Sequence, residues 1–159
     1  MGSWDVLSSM TEFRGAWDED DVAQFLREAT IPVRLCARRP NGSHWLVALW
    51  YRYRDGRLEC ATGAGSDLVG FLRRNPEVAF DVSTNRIPYR GVRGSGTVTL
   101  APDTEKTVLR SLLDRYVGRT DTPLGRELLR DGRDEVCITI DPEDVYSWDF
   151  SSRMQTEEE

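Results

Sequence analysis

Glu59-Cys60-Ala61-Thr62-Gly63-Ala64-Gly65-Ser66, followed after four residues by Phe71-Leu72-Arg73-Arg74-Asn75-Pro76-Glu77-Val78, is the stretch on which the fold turns. Leu58 to Thr62 reads as a strand that runs into a glycine loop. Gly65 to Arg74 then reads as a short helix with Leu68, Phe71 and Leu72 on one side. Asn75-Pro76 ends it, because a residue before proline is pushed out of the helical region. Val78, Phe80 and Val82 alternate with Ala79, Asp81 and Ser83, which is the period of the next strand.

Upstream, Asp55-Gly56 turns the chain into this first strand from a run spanning His44 to Tyr53. A Pro40-Asn41-Gly42-Ser43 turn links that run to a strand from Val33 to Arg38, giving a three-strand meander. In the middle run Trp45, Val47, Leu49, Tyr51 and Tyr53 share one face, while Leu46, Ala48 and Trp50 share the other. Apolar residues on both faces imply burial on both sides, as in a barrel wall that also meets a partner. A homodimer is expected. Before the meander, Val22, Phe25, Leu26 and Ala29 have helical spacing within a helix from Asp18 to Ala29, and Asp18 to Asp21 suit its N-terminal dipole.

Downstream, a loop from Asn85 to Tyr89 leads to a fifth strand with Val92, Val98 and Leu100 on one face. Gly91, Gly94 and Gly96 interrupt it where a strand bends or another backbone comes close. A long helix is expected over Asp103 to Val117 and a shorter one over Leu124 to Leu129. Val136, Ile138 and Ile140 mark a last strand, after which Pro142 turns the chain into Val145 to Asp149. Residues 1–17 read as an N-terminal arm and 151–159 as a frayed acidic tail on one domain of 159 residues. These elements sum to an α+β fold: a six-stranded Greek-key split β-barrel with helices at its ends.

Composition excludes several classes of function. Of the 21 basic residues all but Lys106 are arginine, and 27 carboxylates leave a net charge of −6. Nucleic-acid binding needs the opposite sign. An acidic, lysine-poor chain suits a halophilic cytoplasm, although a genome rich in arginine codons would give the same usage, and both readings stay open. No apolar run approaches the roughly 18 residues of a membrane span, and the first residues do not form a secretory signal; the expected location is cytoplasmic. Cys36, Cys60 and Cys137 have neither disulfide nor metal spacing and read as buried free thiols. With His44 as the one histidine, on an exposed strand start, no nucleophilic triad and no metal site is expected.

Together with Pro88-Tyr89-Arg90-Gly91-Val92-Arg93-Gly94-Ser95-Gly96-Thr97 and Ser147-Trp148-Asp149-Phe150-Ser151, the opening stretch resembles the pyridoxamine 5′-phosphate oxidase-like, FMN-binding split-barrel family over roughly residues 18 to 153. The resemblance implies flavin in two equivalent clefts of a dimer. It places the phosphate against the end of the third strand and the following helix, with the ring between subunits. The cofactor-binding residues it implies are Trp50, Tyr51, Thr62, Ser66, Tyr89, Arg90 and Trp148. Ser66 reads equally as a helix cap, Trp50 and Tyr51 as core or interface aromatics, and Trp148 as packing. The sequence departs from the family where FMN binders carry basic residues: Leu46, Tyr51, Asp67 and Leu68 stand there. The expected function is a flavin-binding oxidoreductase with FMN as cofactor, its substrate and catalytic residues unassigned. The alternatives are a deazaflavin-dependent reductase and a non-catalytic binder of flavin or haem.

Overall fold

The computed structural model describes residues 10–154. Its strands are β1 (Glu12–Gly15), β2 (Val33–Arg38), β3 (His44–Leu49), β4 (Arg52–Arg54), β5 (Arg57–Gly63), β6 (Glu77–Ser83), β7 (Arg90–Pro102) and β8 (Glu135–Asp149). The helices are α1 (Glu19–Glu28), α2 (Asp67–Arg74), α3 (Thr107–Tyr116) and α4 (Pro123–Leu128), with a 3-10 turn at Thr104–Lys106. The strands lie in the order β3-β2-β6-β7-β8-β5-β4, and β1 pairs in parallel with β8.

The two ends of that order belong to one stretch of chain. β3 pairs with β2 and β4 pairs with β5, and only Trp50 and Tyr51 separate β3 from β4. The segment read as one strand from His44 to Tyr53 therefore changes partners halfway, and the change closes the sheet into a split barrel. This is the expected α+β class, with eight strands among the described residues instead of six.

The extra strands have two sources. One is the partner change at Trp50–Tyr51. The other is β1, which lies inside the segment expected to be an arm; Phe13 packs on the core from it. At the far end, Pro142 does not turn the chain. β8 runs straight through it to Asp149, because Pro142 falls at a bulge where the β7–β8 register shifts between Ser95 and Gly96, a place that tolerates a missing N–H. The long helix starts at Thr107 instead of Asp103. Glu105 and Lys106 take positive φ angles of 58° and 57°, and both Asp103 carboxylate oxygens accept amide hydrogens, from Val108 and Leu109, each at 3.0 Å. Residues 155–159 of the expected tail lie outside the described residues.

Alternation carries the core. Val33, Leu35, Ala37, Leu58, Cys60, Val78, Phe80, Val82, Val92, Val98, Ile138, Ile140 and Val145 point into one cluster, joined by Val22, Phe25 and Leu26 of α1 and by Leu68 and Leu72 of α2. α3 covers the outer side of the wall instead: Val108 and Leu112 pack with Cys137, Trp50, Ala61 and Tyr116. Of the three thiols, Cys60 and Cys137 are buried as expected. Cys36 is only half-buried, because it points outward from β2, whose inward positions are Leu35 and Ala37.

Candidate functional site

The junction of β5 and α2 is built from backbone and hydroxyl groups. Thr62 pairs with Val136 and Gly63 with Glu135 in the β5–β8 ladder. Ser66 caps α2 by position only: its amide donates to the Gly63 carbonyl at 3.1 Å, but its side chain makes no capping bond. The Ser66 hydroxyl is buried and has no partner among the described residues. A buried orphan of this kind costs on the order of 1–3 kcal/mol until something bonds to it. Asp67 occupies the exposed first turn of α2, and Leu68 is core at 5% exposure.

A cation stands beside this junction. The Arg133 guanidinium lies 3.8 Å from where a Cβ on Gly63 would be. It also pairs with the Glu135 carboxylate, whose side chain is 1% exposed. Arg133, Ala61 and Trp50 together line a cavity of about 220 Å³ under α3. Trp50, Arg133 and the Glu135 carboxylate share that cavity, while Thr62 and Ser66 are not on its lining and meet Arg133 only through Gly63. Helix-start amides, two hydroxyls and a guanidinium suit an anion, and an aromatic wall suits a ring.

Trp50 is held by stacking. Its ring lies 5.4 Å from that of Tyr116, with 9° between the planes. The Tyr116 hydroxyl donates to the Ile31 carbonyl at 2.9 Å and accepts from the Tyr51 amide at 3.2 Å, and burial pushes its pKa up. Tyr51 is placed differently from a ring wall. It is fully buried, and its hydroxyl donates to the Leu26 carbonyl at 2.7 Å. Burial raises its pKa well above the ordinary tyrosine value. Both faces of its ring are taken up by the core and by the Arg115 guanidinium, 5.1 Å from the ring centre.

Tyr89, Arg90 and Trp148 gather where β7 begins and β8 ends, Arg90 opposite Asp149 and Gly91 opposite Trp148. Tyr89 is 40% exposed, and its carbonyl accepts from the Phe150 amide. Arg90 faces a cleft of about 440 Å³ with Trp17, Phe25, Glu28 and Asp149. The Asp149 carboxyl is held below the usual range, first by the hydrogen bond from the Ser151 hydroxyl. Trp148 lies across Gly91, where a Cβ would come within 2.7 Å of the indole; only glycine leaves room for it. Thr62 and Trp148 sit near opposite ends of one strand, since Thr62 pairs with Val136 of β8. From Val136 to Trp148 is about 40 Å measured along the strand at 3.3 Å per residue.

Two site residues were missed in the sequence. Nothing in its spacing separates Arg133 from the other arginines; only the β5–β8 register brings it to Gly63. Tyr116 lies in the helix expected over Asp103 to Val117, and only the packing of that helix on the outer wall puts it under Trp50.

No family model matches the chain, and no curated protein matches it. Solved structures do. A conserved hypothetical protein of Mycobacterium tuberculosis is 26% identical with a TM-score of 0.74, covering 94% of this chain and 96% of that one. An F420 reductase is 26% identical with a TM-score of 0.66, covering 77% and 94%. A Listeria innocua protein whose name is that of a pyridoxamine 5′-phosphate oxidase is 16% identical with a TM-score of 0.62, covering 81% and 96%. Further fold relatives include a FAD-binding protein of Mesorhizobium loti and a haem storage protein of Vibrio cholerae. The chain has the fold of the pyridoxamine 5′-phosphate oxidase-like split barrels. Within that class, the F420 reductase shares more identity with it than the Listeria protein does.

Proposed function

We propose that the protein is an oxidoreductase that uses a flavin-type cofactor, FMN in the first reading, in a site finished by a second copy of the chain. The observation that carries this is the buried Ser66 hydroxyl at the start of α2, without a partner among the described residues, with Arg133 against the neighbouring Gly63. A phosphate would take its hydrogen bonds from Ser66, Thr62 and the first amides of α2, with Arg133 supplying charge. The ring would lie along Trp50, kept rigid by Tyr116. When bound, the cofactor supplies the two-electron chemistry, and the protein binds and orients it.

The need for a second copy follows from the size of the cavity. The cavity beside Trp50 is about 220 Å³, below the roughly 300–1,000 Å³ of ligand pockets. Tyr89, Arg90 and Trp148 of the same chain are not on its lining. In a twofold dimer, one copy contributes Trp50, Thr62 and Ser66, and the other contributes Tyr89, Arg90 and Trp148. Leu46, 70% exposed on the outer face of β3, supports an interface there.

A deazaflavin is the second reading, favoured by Asp67. That carboxylate stands in the first turn of α2, where the family resemblance implies a cation, and repels a doubly charged phosphate monoester more than a singly charged diester. The 26% identity to the F420 reductase supports the same reading. Haem is not favoured, because His44 is exposed at the start of β3, away from the Trp50 cavity.

Titration of the purified full chain with FMN and with a deazaflavin, followed by quenching of cofactor fluorescence, tests both. The expected FMN affinity is micromolar or weaker, tightening at least tenfold in Asp67→Arg. Leu68 stays untouched because it is core. Saturable binding of neither cofactor would defeat the proposal, and tight FMN binding indifferent to Asp67→Arg would move the phosphate elsewhere.

A further inference from the structure

Glu135 is a buried charge at the β5–α2 junction. It opens β8 opposite Gly63, the last residue of β5. Its carbonyl accepts the Asp103 amide, and the preceding Asp134 carbonyl accepts the Ala64 amide, each at 2.9 Å. These bonds pin the start of β8 between the end of β7 and the loop that leads to Ser66. The Glu135 side chain is 1% exposed, and its carboxylate accepts from Nε of Arg133. The Nη2 end of the same guanidinium lies against Gly63. A carboxylate this deep persists because a cation meets it.

The same pairing weakens the pull of the junction on an anion. Arg133 brings one positive charge, and Glu135 offsets it at contact distance. Asp67, in the first turn of α2, adds a negative charge. A second cleft that Arg133 and Glu135 also line, of about 560 Å³, offers no surplus, because its lining residues include four cations and five carboxylates. The remaining donors of the junction, the Ser66 and Thr62 hydroxyls and the first amides of α2, are neutral. Neutral donors bond to phosphate oxygens of either charge state. Fixed charges act on a dianion twice as strongly as on a monoanion: Arg133 alone would select a doubly charged phosphate, and Glu135 takes that selection away.

We propose that Glu135 determines which phosphate the junction accepts: by offsetting Arg133 it removes the advantage of a doubly charged monoester and admits a singly charged phosphodiester. The inference rests on the junction being the phosphate end of the proposed cofactor site. Asp67, left without an opposing cation, then tilts the balance toward the diester. Glu135 acts through Arg133 and touches no ligand itself. Its burial keeps solvent ions from screening it, whereas Asp67 is exposed and screened.

The test compares FMN with its methyl phosphodiester, which share ring and chain and differ by one charge at pH 8, since the second pKa of a phosphate monoester is about 6. Each is titrated into the full chain at low salt and followed by fluorescence quenching, with the same two phosphates on a 5-deazaflavin ring in parallel. The wild type should bind the ester at least threefold more tightly than FMN. Glu135→Gln keeps an acceptor for Nε, and Arg133, 32% exposed, can still reach water. This variant should tighten FMN at least tenfold and the ester only about threefold, the square root expected for half the charge. A merely structural role would move both ligands alike. Asp114→Asn, on the exposed side of α3, should leave the ratio of the two affinities unchanged. Circular dichroism verifies each fold. Should Glu135→Gln unfold, the double variant Arg133→Gln with Glu135→Gln decides: losing both charges should leave the ratio at its wild-type value, and a ratio moved threefold or more toward the ester would show Arg133 acting unopposed and overturn the proposal. A wild type that prefers FMN, or a folded Glu135→Gln with an unchanged ratio, would also overturn it while leaving the cofactor reading intact. Binding of none of the four ligands would remove that reading and the inference with it.

Discussion

Replacing Arg115 by methionine keeps the aliphatic stem and removes the guanidinium that joins α3 to the end of α1. The guanidinium donates to the carbonyls of Ala29 at 2.5 Å, Arg27 at 2.6 Å and Leu26 at 3.1 Å. These are carbonyls at the C-terminal end of α1, where a cation also opposes the helix dipole. A charge-assisted bond is worth roughly 1.5–3 kcal/mol, but the three do not add. The Tyr51 hydroxyl still donates to Leu26 and reaches Ala29 at 3.2 Å, and water can replace the bond at the exposed Arg27 carbonyl. The net loss should be about 3 kcal/mol, or about 6–12 °C in melting temperature for a chain of this size. Because Arg115 also lies over Tyr116, which stacks on Trp50, affinity for the cofactor should fall in the same variant. Arg115→Lys should recover only part of the loss, since an ammonium lacks the fork. Thermal and urea unfolding followed by circular dichroism measures it. A shift below about 2 °C would refute the clamp and reduce Arg115 to a surface residue.

Stability should fall as pH rises above about 9. Burial raises the folded pKa of Cys60 above 9.0 and of Tyr51, Tyr53 and Tyr116 above 10.0, so the unfolded chain loses these protons first. The contribution is fully present below the unfolded values and is lost above them, by up to about 1.4 kcal/mol per pH unit for each fully shifted group; a flat urea midpoint from pH 8 to 10.5 would contradict it. Melting temperature should climb from low to molar potassium chloride, because the net charge of −6 repels itself less when screened; an unchanged value leaves arginine usage as a genomic habit. Leu46→Glu, at an exposed apolar position of β3, should shift sedimentation from dimer to monomer, and a wild-type monomer at micromolar concentration would remove the second copy from the proposed site.

What the sequence revealed and what it hid divide along a physical line. Local periodicity found β2 from Val33 to Arg38 and α1 to within a residue at each end, since alternation and helical spacing are properties of neighbouring residues. It failed where a distant partner decides. Trp50 and Tyr51 look like mid-strand residues, and only the change of partner from β2 to β5 breaks the strand there. β1 has too short an alternation to read, and it exists because β8 offers it an edge. Tyr51 reads as an aromatic for a ligand until α1 is seen to supply acceptors for its hydroxyl. Arg133 is anonymous among many arginines.

The partner change at Trp50–Tyr51 has a consequence for how the molecule comes apart. One covalent segment belongs to both ends of the strand order, so neither the β2 side nor the β5 side can peel away as an autonomous unit. Losing β3 from β2 pulls on Tyr51, which is bonded to the end of α1, and through it on β4 and β5. Local opening is thereby converted into global opening, and amide protons on the two sides of the barrel should share one exchange free energy, as in a single cooperative unit. A joint of two residues gives a closed wall the indivisibility that open sheets obtain only from a large core.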